Sequence, residues 1–158
     1  MDLYLMRHGL ACEPFDWKGP DDSRPLTEEG WEKTRRVLEV LKKKHPFKPG
    51  EIWSSPLVRA QQTSQIASEL LNLPVQTCAA LACGSSVKKL QKFFETQKTG
   101  DSILLVGHEP DMGEILADLI GSREACPFKK AGVAYLRGEF KPRQMDLQYH
   151  FAPKDLLE

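Results

Sequence analysis

Two arginines and two histidines carry the chemistry this chain has to offer. The stretch LYLMRHG runs as apolar strand formers from Leu3 to Met6 and then stops at Arg7, His8 and Gly9, setting a fixed cation beside a titratable imidazole. Arg59 stands in SSPLVRAQQT, in what reads as the first turn of a helix, and His108 comes directly after Gly107 and the apolar run SILLV. Taken singly, each has an ordinary role: a strand-end cation, a satisfied buried histidine, a solvated helix residue, a contributor to a helix cap. Open α/β sheets, however, bind their ligands outside the carboxyl ends of the strands, and that rule brings all four to one sheet edge. Two guanidinium groups, two imidazoles and the N-termini of helices repel one another unless an anion fills the space between them. A tetrahedral dianion, phosphate above all, matches the cluster in charge and in the fork geometry of arginine.

The elements that would position these residues can be read from periodicity. Asp2 to Met6 reads as a strand buried on both faces. After the polar loop FDWKGPDDSRP, Thr27 offers an N-cap to a helix whose stripe is Trp31, Thr34, Leu38 and Leu41, widened by Val37 and Val40 and ended at His45-Pro46. A second strand at Glu51 to Trp53 leads into the helix SSPLVRAQQTSQIASELL, with Ser55 expected as its cap and Pro56 at its first position. A brief strand at Val75 to Cys78 precedes a helical pattern from Val87 to Gln97. Ser102 to Val106 is the best central strand and is followed by a helix from about Pro110 to Ile120, stopped at Gly121. Val133 and Tyr135, then Met145, Leu147, Tyr149 and Phe151, alternate around KPRQ as a terminal hairpin. Strands alternating with helices predict a three-layer α/β/α sandwich with a mostly parallel central sheet.

Composition narrows the partners. Lys plus Arg and Asp plus Glu each total 22, so no net field draws in nucleic acid or a membrane surface. Apolar residues at 41% and charged residues at 28% fit a globular chain of 158 residues, long enough for one hydrophobic core without metal or disulfide staples. Cys12, Cys78, Cys83 and Cys126 form no C-x-x-C pair and no disulfide framework, which suits a reducing compartment. No apolar run spans a bilayer and no leader pattern opens the chain, so the expectation is a cytoplasmic protein.

LMRHG, SSPLVRAQQT and VGHEPDM, in this order and spacing, resemble the three signature blocks of the histidine phosphatase superfamily, the phosphoglycerate-mutase-like fold. The loop DDSRPLTEEG, the short chain and the ending FAPKDLL are similar to the compact SixA-type phosphohistidine phosphatases. The resemblance implies one such domain over residues 1–158, without a cofactor. It implies that His8 is the nucleophile and passes through a phosphohistidine intermediate, with Arg7, Arg59 and His108 clamping the phosphoryl oxygens, and that Gly9 and Arg24 help to bind substrate. The phosphate donor would be a phosphohistidine-bearing protein such as a phosphorelay phosphotransfer domain. A two-histidine metal site at His8 and His108 is disfavoured, since flanking arginines repel the ion and no third ligand is evident.

Many members of the superfamily carry a glutamate near the third strand that protonates an alkoxide leaving group. The corresponding stretch here, QTCAALACGSS, holds no carboxylate. A phosphohistidine needs less help, because protonated at its distal nitrogen it leaves as neutral imidazole; phosphate esters need the acid. Glu109 stands either as a substitute acid or as favourable charge at a helix N-terminus. Ser54-Ser55 reads as a helix cap whose backbone amide could reach phosphate. Two competing functions stay open: a general small-molecule phosphomonoesterase of the same superfamily, and a non-catalytic phosphohistidine-binding module.

Overall fold

Residues 1–157 are described by a computed structural model. Six strands, β1 (Asp2–Arg7), β2 (Glu51–Ser54), β3 (Val75–Thr77), β4 (Ser102–Gly107), β5 (Val133–Gly138) and β6 (Met145–Phe151), form one sheet in the order β3-β2-β4-β1-β5-β6. The pairs β1·β4, β2·β4 and β2·β3 are parallel, whereas β5 runs antiparallel to β1 and to β6. Helices α1 (Glu28–Lys44) and α2 (Val58–Leu71) cover one face, α3 (Val87–Phe94) and α4 (Asp111–Ile120) the other.

Alternation along the central strands explains the three layers. Leu3, Leu5, Ile103 and Leu105 pack with Leu90, Met112, Ile115 and Leu116 on one side; Tyr4, Met6, Leu104 and Val106 pack with Val37, Leu38, Leu41 and Ile66 on the other. A strand covered on both faces must be apolar at successive positions, which is why β1 and β4 read as continuous apolar runs. The first sheet-covering helix starts where expected, Thr27 Oγ1 accepting from the Gly30 amide at 3.0 Å. Gly30 also permits a close approach of backbone: a Cβ there would collide with the Leu10 carbonyl, and one on Gly9 with Thr34 Oγ1. These two glycines let the chain leaving β1 pass directly against α1.

Two helix boundaries differ from the sequence reading. α2 begins at Val58 with Leu57 at its N-cap, so Ser55 and Pro56 lie outside it. Ser55 Oγ accepts from the Leu57 amide at 3.2 Å and bonds to His108, which makes residues 55–57 a turn instead of a first helical turn. Arg59 remains in the first turn of α2. The third helix ends at Phe94, and the pattern that suggests Gln97 belongs to a turn closed by Gln97 N to Phe94 O at 3.3 Å. The terminal hairpin forms, with an irregular register between Tyr135 and Leu136. A short helix, α5 (Pro153–Leu156), follows it without a sequence expectation; the Asp155 carboxylate accepts from the Ala152 amide at 2.8 Å to start it.

Candidate active site

Strand register assembles the site. Arg7 pairs with Gly107 and Ser54 with Val106, so the chain leaves β1, β2 and β4 at one sheet edge, side by side. His8 N donates to Gly107 O at 3.1 Å and Ser55 N to Val106 O at 3.0 Å, extending the ladder one residue beyond each strand. The result is a cleft of about 240 Å³ lined by Arg7, His8, Arg24, Arg59, His108 and Glu109, with Ala11, Glu13, Pro14, Cys83 and Lys130 at its rim. Every expected site residue except Gly9 faces this one cleft. The His8 and His108 ring centroids are 5.3 Å apart.

His8 is 7% exposed, and its Nδ1 lies 2.8 Å from Gly9 O. A carbonyl oxygen only accepts, so Nδ1 carries the proton and the lone pair of the neutral ring sits on Nε2. Gly9 therefore serves as tautomer setter; its own amide donates to Thr63 Oγ1 at 3.0 Å. Burial pushes the His8 imidazole down to about 3, outweighing the Gly9 bond, which favours the proton; His108, Arg59 and Arg7 lower it further. Desolvation is thus the first cause of the free lone pair, and the arginines add to it. His108 is pushed down to about 4, again by burial first and then by Arg59.

The arginines are held by backbone and by one carboxylate. Arg7 Nη1 donates to Phe128 O at 2.9 Å. Arg59 is 5% exposed; its Nη1 donates to Asp21 O at 2.9 Å and its Nη2 to Asp21 Oδ2 at 3.1 Å. Arg24 donates through Nε to Asp21 Oδ1 at 3.1 Å and through Nη1 to Cys12 O at 2.6 Å. Asp21, on a short 3-10 turn at Asp21–Ser23, thus bridges two cleft arginines. Despite these bonds, Arg7 Nε and Arg59 Nε are buried without a hydrogen-bond partner among the described residues, and so is His108 Nδ1. Buried donors are rarely left unpaired. Trp53 Nε1 is in the same condition away from the cleft, but three such nitrogens fall together on the residues that line it.

His108 Nε2 lies 2.7 Å from Ser55 Oγ. Glu109 Oε1 accepts from the Gly113 amide at 2.7 Å, so its carboxylate is tied to the first turn of α4. Burial nevertheless raises its pKa, against the lowering effect of Gly113 and of Arg7. Sequence reasoning misses the supporting roles of Asp21 and Thr63, and the bond from Ser55 to His108. Thr63 follows Arg59 by one helical turn, and its Oγ1 donates back to Arg59 O at 2.8 Å while accepting from Gly9; that i, i+4 spacing is a usable signal.

An imidazole held neutral this far down leaves a measurable trace. NMR titration of the His8 and His108 ring carbons should show both neutral at pH 5, with midpoints well below the ordinary value of about 6.5. Between pH 6.5 and those midpoints the unfolded chain binds protons that the native chain refuses. Stability therefore falls as pH drops through this window, by up to about 1.4 kcal/mol per pH unit for each imidazole. Midpoints near 6.5 would show that the site is wet and the nucleophile unprotected.

Known proteins share both the sequence pattern and the architecture. The family model described as histidine phosphatase superfamily (branch 1) matches residues 3–82. An uncharacterized protein of Picosynechococcus is 36% identical over 144 residues, covering 87% of this chain and 85% of its own. The phosphohistidine phosphatase SixA of Escherichia coli is 27% identical over 138 residues, covering 85% and 83%. A solved structure of the protein histidine phosphatase SixA complexed with tungstate superposes with a TM-score of 0.81 at 26% identity, covering 99% of both chains.

Proposed function

As the chain belongs to the histidine phosphatase superfamily, we propose that it is a phosphohistidine phosphatase, acting on a phosphohistidine borne by a protein through a covalent intermediate on His8. The observation that carries this reading is the pairing of a tautomer-fixed, neutral His8 with unpartnered buried nitrogens on Arg7, Arg59 and His108. The similarity to the phosphohistidine phosphatase SixA of Escherichia coli and to a tungstate-bound histidine phosphatase supports it.

In the first step the Nε2 lone pair of His8 attacks phosphorus in line. The P–N bond to the substrate breaks, and its electron pair stays with the departing imidazole, which is neutral because its other nitrogen already holds a proton. Negative charge spread over the three equatorial oxygens is met by Arg7, Arg59 and His108. The phosphorylated His8 ring then carries a proton on Nδ1 facing the Gly9 carbonyl, so it becomes as good a leaving group as the substrate's ring was. Water attacks the same phosphorus, inorganic phosphate departs with the water's oxygen, and His8 returns with Nδ1–H intact.

The cleft residues that carry carboxylates are Glu13 and Glu109. Glu109 spends one oxygen on the helix and faces Arg7, which fits an electrostatic support for that arginine better than a proton donor. The chain should accordingly favour phosphohistidine over phosphoserine in matched peptides by about 10²-fold or more, the scale of general-acid assistance that an ester requires. Glu109→Gln should change phosphohistidine turnover by less than about tenfold. Phosphate release from the two peptides checks both points. Equal rates on the two peptides favour the broad phosphomonoesterase, stoichiometric binding without release favours the binding module, and a drop of about 10²-fold or more in the variant makes Glu109 the acid.

A further inference from the structure

Beside the cleft runs a second, larger concavity of about 480 Å³, lined by Arg7, Lys33, Lys129, Lys130, Lys154 and the backbone stretch Ala152–Pro153. Five cations from β1, α1, α5 and the turn before β5 meet there, and no carboxylate lines it. None of the five takes part in an ion pair among the described residues, and the four lysines are exposed. Asp155, the neighbour of Lys154, has its carboxylate turned to the Ala152 amide. In a chain whose positive and negative residues balance at 22 each, such a groove is a local concentration and not a general excess.

The backbone fixes this groove to the reacting centre. Lys129 O accepts from Gly132 N at 2.8 Å, closing a turn in which Ala131 holds φ +61°, a left-handed conformation that costs a non-glycine residue. Within the same turn Ala131 N donates to His8 O at 3.1 Å and Gly132 O accepts from Arg7 N at 3.1 Å. Lys129 and Lys130 are therefore carried on a turn bonded to the residues of the proposed nucleophile and clamp. Arg7 and Lys130 line both concavities, so groove and cleft adjoin.

The geometry points to a docking groove for an acidic protein segment: the groove receives Asp and Glu side chains that flank the phosphohistidine being delivered to His8. This rests on the phosphohistidine reading above and adds the partner's charge to it. A single phosphate is better served by the buried arginines of the cleft, whereas spread, exposed lysines suit several carboxylates on a surface laid across the groove. Opposed charge of this kind raises encounter rates and weakens with salt.

The test uses three otherwise identical fluorescent peptides bearing a central non-hydrolysable phosphohistidine analogue flanked by Glu, Gln or Lys. Binding to the full chain should rank Glu above Gln above Lys, with about tenfold or more between the extremes at low salt and little difference at high salt. Lys129→Glu with Lys154→Glu should invert that order while leaving turnover of a small phosphoramidate unchanged, which also shows the variant folded. Equal binding of the three peptides, or an equal loss on the small phosphoramidate, overturns the proposal. Variant-sensitive binding of an RNA oligonucleotide without preference for the acidic peptide overturns it too. Should the wild-type chain hydrolyse no phosphohistidine at all, the catalytic reading falls, while the binding order still decides the groove on its own.

Discussion

Replacing His8 by alanine should abolish both turnover and the trapping of label on the protein. Loss of a covalent nucleophile removes the reaction path itself, so the expected fall is on the order of 10⁴–10⁶-fold and not the partial loss that follows deletion of one clamp residue. Brief exposure to a ³²P-phosphohistidine peptide followed by denaturation should leave acid-labile label on wild type and none on the variant. His108→Ala is the control: it removes a clamp residue whose ring stands 5.3 Å from His8, so it should slow both steps while labelling persists. The variant should also remain folded, since burial holds the His8 ring neutral and its removal leaves no buried charge unpaired. Its removal leaves a small cavity but relieves that constraint at acid pH. Label on the His8→Ala protein would place the nucleophile elsewhere, and turnover without label on wild type would replace the covalent path by direct attack of water.

What can be read in advance follows from which interactions are local. LYLMR and SILLV announce themselves because strands packed on both faces must be apolar throughout, and the ligand rule for open sheets then gathers Arg7, His8, Arg59 and His108 without coordinates. The sheet order is not legible: nothing in a linear pattern says that β4 inserts between β1 and β2. Ser55 misleads for a related reason. A serine ahead of Pro56 has the local signature of a cap, yet its hydroxyl is claimed by His108, 53 positions later in the chain, and tertiary bonding overrides the local preference. Asp21 is hidden in a polar loop where an acidic residue usually means solvation; its pair with Arg24 is local, three residues on, and only the approach of α2 adds Arg59. The groove lysines come from separate elements, so their grouping has no sequence signature at all.

Arg59→Ala should lower kcat/KM for phosphohistidine by about 10²–10³-fold, the usual effect of removing one preorganised donor from a developing oxyanion, and should weaken inhibition by inorganic phosphate in parallel. The cause is geometric. Arg59 is 5% exposed and bonded twice to Asp21, so its guanidinium is already in place, and its buried Nε has no acceptor among the described residues. A group prepositioned in this way loses little order when the reaction begins, which is why its loss falls on the barrier. Arg59→Lys should recover little, since an ammonium on a flexible stem cannot replace a fork held by two bonds to one residue. Asp21→Asn separates positioning from charge: it keeps the Asp21 carbonyl bond to Nη1 but removes the negative charge facing Arg59 and Arg24. Its expected signature is a raised kcat/KM sensitivity to salt with a smaller loss than Arg59→Ala, because the guanidinium remains present but less firmly aimed. Steady-state kinetics of the three variants, together with phosphate inhibition constants, check the scheme. A near-normal Arg59→Ala enzyme would mean that the phosphoryl group is held by Arg7 and His108 alone and that Asp21 keeps Arg59 for the fold.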